Sequence, residues 1–175
     1  MIGDRLDPSE IKLVAATDRE AQKLRLLDGD LLFVRTNGNP DYVGRSAVFN
    51  SKTMRDAGFD SENCLYASYL IRGRIMRDIL SPHYIQVFLS SIEGRRRLKE
   101  RCRTSAGQYN INIDGLSSIV LPLPPLERQL AFEHHCPDIF SIQSQQSFAT
   151  QKAEATFNAL LGRAFQGELV TSETT

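Results

Sequence analysis

Hydrophobic positions form mostly strand-like runs before about residue 80, a helical pattern from Ser81 and, from Leu126 onward, a helical series with no strand pattern. Leu31–Val34 is an unbroken apolar run behind the turn formers Asp28, Gly29 and Asp30, which predicts a buried strand. A second apolar run, residues 43–49, predicts its neighbour. Between them lie Arg35, Thr36, Asn37, Gly38, Asn39, Pro40, Asp41 and Tyr42, a stretch dense in turn residues. Upstream, residues 11–15 read as a short extended piece, and Asp18 as the N-cap of a short helix. Residues 50–63 read as loop, and residues 64–75 have the composition of another strand.

Ser81 and Pro82 then have the chemistry of a helix start, a capping hydroxyl followed by proline at the first helical position. Tyr84, Ile85, Phe88, Leu89 and Ile92 recur at helical spacing, and Gly94 ends or bends that helix. The run RRRLKERCR, residues 95–103, sets Leu98 and Cys102 on one seam and cations nearly everywhere else. Residues 110–125 read as short extended pieces around an Asp114-Gly115 turn, stopped by prolines. From Leu126 the strand pattern disappears. Leu126, Leu130 and Phe140 open an apolar series that Phe148, Ala153, Phe157, Leu160, Leu161, Ala164 and Phe165 continue. This predicts an amphipathic helix of about 40 residues, roughly 60 Å if unbroken. Pro137 is expected to break or kink it near residue 136. A stripe that long needs a partner to cover it. The fold class is mixed α/β: a small domain over residues 1–123 with a mixed or antiparallel sheet, a coiled-coil-like C-terminal helix over 124–169, and a tail over 170–175.

Composition bounds the function classes. The chain has 175 residues, 41% hydrophobic and 24% charged, which is ordinary for a globular domain. No apolar run approaches the roughly 18 residues needed to span a bilayer, and the N-terminal residues have no signal-peptide core. Cys64, Cys102 and Cys136 form no Cys-x-x-Cys pair, so they read as free thiols in a reducing cytoplasm. Net charge is zero, yet residues 31–104 carry 13 basic and 7 acidic side chains while both ends are net acidic. One anion-facing region is expected in an otherwise neutral protein.

No catalytic, metal or cofactor constellation is expected. Glycine-rich nucleotide loops are absent, and the adjacent His134 and His135 point about 100° apart on a helix, unsuited to one metal. The stretch NGNPDY, residues 37–42, is similar to the Asn-Pro-Pro-Tyr loop of amino-group DNA methyltransferases, but Asp41 interrupts it. Pro40-Asp41 followed by Asn50, Ser51 and Lys52 echoes a nuclease metal site without its second carboxylate. The basic run is better evidence. On a helix Arg95, Lys99 and Arg103 line one face that Arg96, Arg97 and Arg101 widen, suiting a phosphate backbone. Arg35, Asn37, Asn39 and Arg45 are residue types that read base edges, although the asparagines also serve as turn formers.

The segments GDLLFVRTNGNPDYVGR, YASYLIRGRI, SAGQYNIN, LPLPPLERQ and LLGRAFQGEL stand in order and together resemble the specificity subunit of type I restriction–modification systems, over about residues 26–169. The resemblance implies a non-catalytic DNA target-recognition domain followed by a spacer helix. It implies double-stranded DNA, adenine-methyltransferase (modification) subunits and, through the complex, a restriction subunit as partners, with homodimerisation through the C-terminal helix a further assembly. Leu126, Leu130, Phe157, Leu160, Leu161, Ala164 and Phe165 become helix-packing residues. Arg35, Asn37 and Arg45 become positioning contacts, with base reading assigned to residues 50–63 and 72–80. Where the family often has Glu-Gln after Pro-Pro-Leu, this chain has Arg128 between Glu127 and Gln129. The alternatives are a degenerate piece of an adenine DNA methyltransferase and an interaction module that binds methyltransferase subunits without reading DNA.

Overall fold

The computed structural model describes residues 6–105 and 107–166. The expected tail, and residues 167–169 of the expected spacer segment, lie outside them. The chain divides into two compact units, residues 1–133 and 134–175.

The first unit is built around strand β1, Leu31–Val34. Its antiparallel neighbours are β3 (Ser46–Val48) and β4 (Leu70–Gly73), giving the order β3-β1-β4. Alternate residues of a strand point to opposite faces, and both faces of this sheet are covered. Leu31 and Phe33 join Val43, Ile71, Ile85, Leu89, Leu98 and Ile111 on one side. Leu32 joins Leu26, Phe49 and Met54 on the other. That is why β1 reads as a continuous apolar run rather than an alternating one. Asp30, buried just before β1, has its charge matched by Arg74, whose Nε and Nη2 each donate to the carboxylate at 2.9 Å.

Around this sheet stand helices α1 (Asp18–Leu24), α2 (Ser51–Asp56), α3 (Pro82–Ser90) and α4 (Ile92–Arg101). Ser81 caps α3 with Pro82 in its first turn, as the sequence predicts. The N-cap of α1 is Thr17 rather than Asp18. Its hydroxyl and the Glu20 carboxylate exchange hydrogen bonds with each other's backbone in a capping box. Gly94 neither ends nor bends α3. That helix closes at Ser90, Ser91 caps α4, and Gly94 sits in the first turn of α4. A Cβ on Gly94 would fall 2.0 Å from the Phe88 carbonyl oxygen, so only glycine lets α4 cross so close behind α3.

Four sequence expectations change in the structure. Residues 50–63 hold α2, capped by Asn50, and a 3₁₀ turn at Ser61–Asn63. Residues 11–15 form no strand, and strand structure within 64–75 is confined to β4 apart from a bridge at Leu65. Asp114 and Gly115 lie inside a short helix, α5 (Ile113–Ser117), capped by the Asn112 side chain. A second sheet also exists, β2 (Thr36–Asn37), β6 (Gln108–Asn110) and β5 (Arg103–Ser105), in the order β2-β6-β5.

Helix α6 runs over Leu126–Phe165, as the apolar series predicts, and is helical on both sides of Pro137. Proline removes one donor and crowds one carbonyl, costing about 3 kcal/mol. Eleven helical residues precede it and 28 follow, enough bonded turns to carry that loss without a break.

Candidate nucleic-acid interface

The loop between β1 and β3 is built from two successive asparagine turns. Asn37 Oδ1 accepts from the Asn39 backbone N–H, and Asn39 Oδ1 from the Asp41 N–H, both at 2.9 Å. A bidentate pairing with adenine would compete with the turn for that oxygen. Arg45 Nε donates to the Asp41 carbonyl at 3.0 Å, and its guanidinium lies 4.2 Å from the Tyr42 ring centroid. Gly44 takes φ 73°, and a Cβ there would meet Leu98 Cδ2 at 2.7 Å. The loop is therefore pressed onto α4.

Helix α4 holds the loop in place. Arg95 Nη2 donates to three loop carbonyls, those of Pro40 at 3.1 Å, Asp41 at 3.1 Å and Val43 at 2.9 Å. Lys99 Nζ pairs with Asp41 Oδ1 at 2.6 Å, and this contact holds the Asp41 carboxyl below its ordinary range. Arg96 lies between Glu93, at 2.7 Å, and Glu100. Arg97 pairs with the same Glu93 at 2.6 Å and donates to the Val120 carbonyl. Hydrogen bonds first from Arg96 and then from Arg97 pull the Glu93 carboxyl down to about 2. Arg96 is raised in turn, chiefly by its bond to Glu93.

The expected helical row Arg95, Lys99 and Arg103 is thus not one helix face. Helix α4 ends at Arg101, Cys102 caps it, and Arg103 opens β5. The physical reason is the seam itself: Leu98 is fully buried and Cys102 packs against the same core, so the chain turns into the second sheet there. The side chains of Arg35, Arg101 and Arg103 are exposed and make no hydrogen bond or ion pair with any described residue. Arg95, Arg96 and Lys99 all have protein partners.

Sequence reasoning missed Gln129. It is fully buried at the start of α6, where Nε2 donates to the Ile79 and Pro124 carbonyls at 3.1 and 2.7 Å. Its Oε1 accepts from the Ser81 backbone N–H at 2.9 Å. One turn on, Glu133 accepts from the Ser81 hydroxyl at 2.6 Å and pairs with His83 at 2.7 Å. The signal available in sequence was a glutamine one helical turn after a proline-stopped segment. Among the predicted packing residues, Leu126 is half-buried and Leu130, Phe157, Leu160, Leu161, Ala164 and Phe165 are exposed. Among the described residues, no group of three or more His, Cys, Asp or Glu side chains is placed to hold a metal ion, and no helix is long and apolar enough to cross a membrane.

No family profile matches the chain. Over 168 residues, 94% of its length, it is 30% identical to the type I restriction enzyme EcoKI specificity subunit of Escherichia coli (strain K12), covering 34% of that protein. Over 155 residues, 86% of its length, it is 28% identical to the type I restriction enzyme StySPI specificity subunit of Salmonella potsdam, covering 32% of that protein. The chain is thus related to type I restriction enzyme specificity subunits and spans about a third of the length of these relatives.

Proposed function

We propose that this relative of type I restriction enzyme specificity subunits is a DNA target-recognition module: its first unit docks on duplex DNA, and α6 carries it into a complex with modification subunits. Kinship over 94% of the chain is the observation that carries the reading. The described geometry supports it, because loop 35–45, α4 and the second sheet form a rigid polar surface with unpaired cations at its edge.

Within this reading eight of the predicted interface residues divide into roles. Arg95 and Lys99 set the shape of the loop, and Asn37 and Asn39 make its turns. Arg45 braces the loop over Tyr42, and Arg96 is balanced by two glutamates. Arg35 and Arg103 keep their guanidinium groups free for phosphates. The module itself carries no catalysis; chemistry on DNA belongs to the modification and restriction subunits. The exposed apolar residues of α6 are the surface for those subunits or for the same helix of a second copy. Two copies would present equivalent half-sites and select a symmetric, bipartite target.

Selection from a randomised duplex library tests this. The purified chain is mixed with the library in low salt, and bound duplexes are recovered and sequenced over several rounds. A shared motif is expected. Recovery of duplexes with no common sequence would contradict target recognition.

A further inference from the structure

The second sheet juxtaposes three arginines that the rest of the protein leaves unused. Thr36 pairs with Asn110, and Asn110 with Arg103, so these three residues form one row across β2, β6 and β5. Cross-strand partners share a face of the sheet. On the opposite face the row is Asn37, Tyr109 and Thr104, and Tyr109 packs against the main core. The Arg103 row is therefore the outward one. Ser105 and Gln108 pair with each other and extend that face. Among the described residues, none of Thr36, Arg103, Ser105, Gln108 and Asn110 has a side-chain hydrogen-bond partner.

Arg35 and Arg101 stand at the margins of this sheet, Arg35 opposite Ile111 on the Tyr109 side. The Arg35 carbonyl accepts from Ile111 N–H at 2.9 Å, which places Arg35 beside the Thr36–Asn110 pair. Arg101 lies two residues before Arg103, and its carbonyl is 3.4 Å from the Cβ position of Gly115, close behind Ile111. All three arginines thus converge on residues 110–115. Thr36 and Arg103 stand two strand spacings apart, roughly 10 Å.

From this placement we infer that Arg35, Arg101 and Arg103, exposed around the margins of the β2-β6-β5 sheet, form the phosphate-binding group of the protein, and that Arg95, Arg96 and Lys99 of α4 do not take part in it. The inference rests on the DNA-docking reading above and assigns it to particular side chains. A cation already held by a carboxylate or by carbonyls must give up that partner to meet a phosphate, whereas a free one gives up only water and releases counterions from the DNA.

The test is the salt dependence of binding to a random-sequence duplex of about 20 base pairs, followed by fluorescence anisotropy with the full chain across a KCl series. Replacing Arg35, Arg101 and Arg103 together by Ala is expected to flatten the slope of log K against log salt by about one unit per arginine. Arg96→Ala is expected to leave the slope unchanged. The three side chains have no protein partners, so thermal melting is expected to match wild type and to report any loss of fold separately. If the triple variant melts normally and keeps the wild-type slope, or if Arg96→Ala flattens it equally, the assignment is overturned while DNA docking stands. If the wild-type chain shows no salt-dependent duplex binding, the docking reading fails and the assignment falls with it.

Discussion

A single side chain shows how a basic run in sequence differs from a basic surface in space. Arg95 belongs to the densest run of cations in the chain, yet Nη2 is aimed at three carbonyls more than 50 residues upstream. Those carbonyls belong to turn residues with no strand partner, so the guanidinium supplies donors that a sheet would otherwise give. Gln129 serves the same purpose at the base of α6, satisfying two carbonyls and one amide in a site closed to water. Neither job was legible in the sequence, because each depends on groups that only folding brings near. The residue types were readable, and their commitments were not.

Glu93 gives a prediction at this scale. Its carboxyl is drawn down to about 2, first by Arg96 and then by Arg97, from an ordinary value near 4.5. A carboxyl depressed in the folded state stabilises fully above its unfolded value and loses that contribution as pH falls through the folded one. The Glu93 contribution is therefore intact at pH 7 and disappears between about pH 5 and pH 2. Glu93→Gln is expected to melt below wild type at pH 7, with the gap closing as the pH approaches 2. Melting curves over pH 2–7 measure this, and a constant gap across the range would contradict it. Asp41, lowered mainly by Lys99, contributes with the same sign.

Among the elements, those with strong local chemistry were legible. Leu31–Val34 is a strand because its apolar run is buried on both faces. Helix α3 begins at Ser81 and Pro82 because a capping hydroxyl and a fixed φ suit a helix start. Helix α6 follows from its apolar series. Short elements were not legible. Helix α2 spans six residues and α5 five, too few to show a helical period, and each depends on an asparagine cap that also reads as a turn residue. Strands β5 and β6 carry no apolar alternation, because their outward face is polar and their inward face contributes only Tyr109 to the core.

The distal part of α6 carries the element-scale prediction. Phe157, Leu160, Leu161 and Phe165 are 64%, 46%, 41% and 84% exposed, although they belong to the apolar series that predicted the helix. If this stripe seats a modification subunit, two carboxylates placed on it would have to be stripped of water and buried unpaired against the apolar partner surface. Leu160→Glu with Leu161→Glu is expected to lower recovery of the co-expressed modification subunit by at least about tenfold, which corresponds to ~1.4 kcal/mol. The first unit should keep its melting temperature. Undiminished recovery would show that partners attach elsewhere.

At the scale of the whole molecule, the two units divide the proposed work. The first unit holds a sheet covered on both faces, a braced loop and a polar second sheet, all of which favour fixed geometry at a duplex. The second unit is helix with apolar side chains exposed, which favours assembly. The middle of the sequence pointed to one anion-facing region, and the structure supports that idea with a different membership. Much of the α4 charge is balanced internally, and three arginines whose side chains have no described partner, Arg35, Arg101 and Arg103, lie at the second sheet.

The central claim is that this chain selects a DNA target for a modification enzyme. The most direct measurement is methylation mapping in a methylation-free host that co-expresses the chain with a modification subunit of the same system. The account predicts methyl-adenine confined to one sequence motif, present with the chain and absent without it. A motif of two symmetric halves would identify a working pair of modules. Genomic DNA that stays unmethylated, although the two proteins co-purify, would contradict the claim and leave the chain an interaction module that does not read DNA.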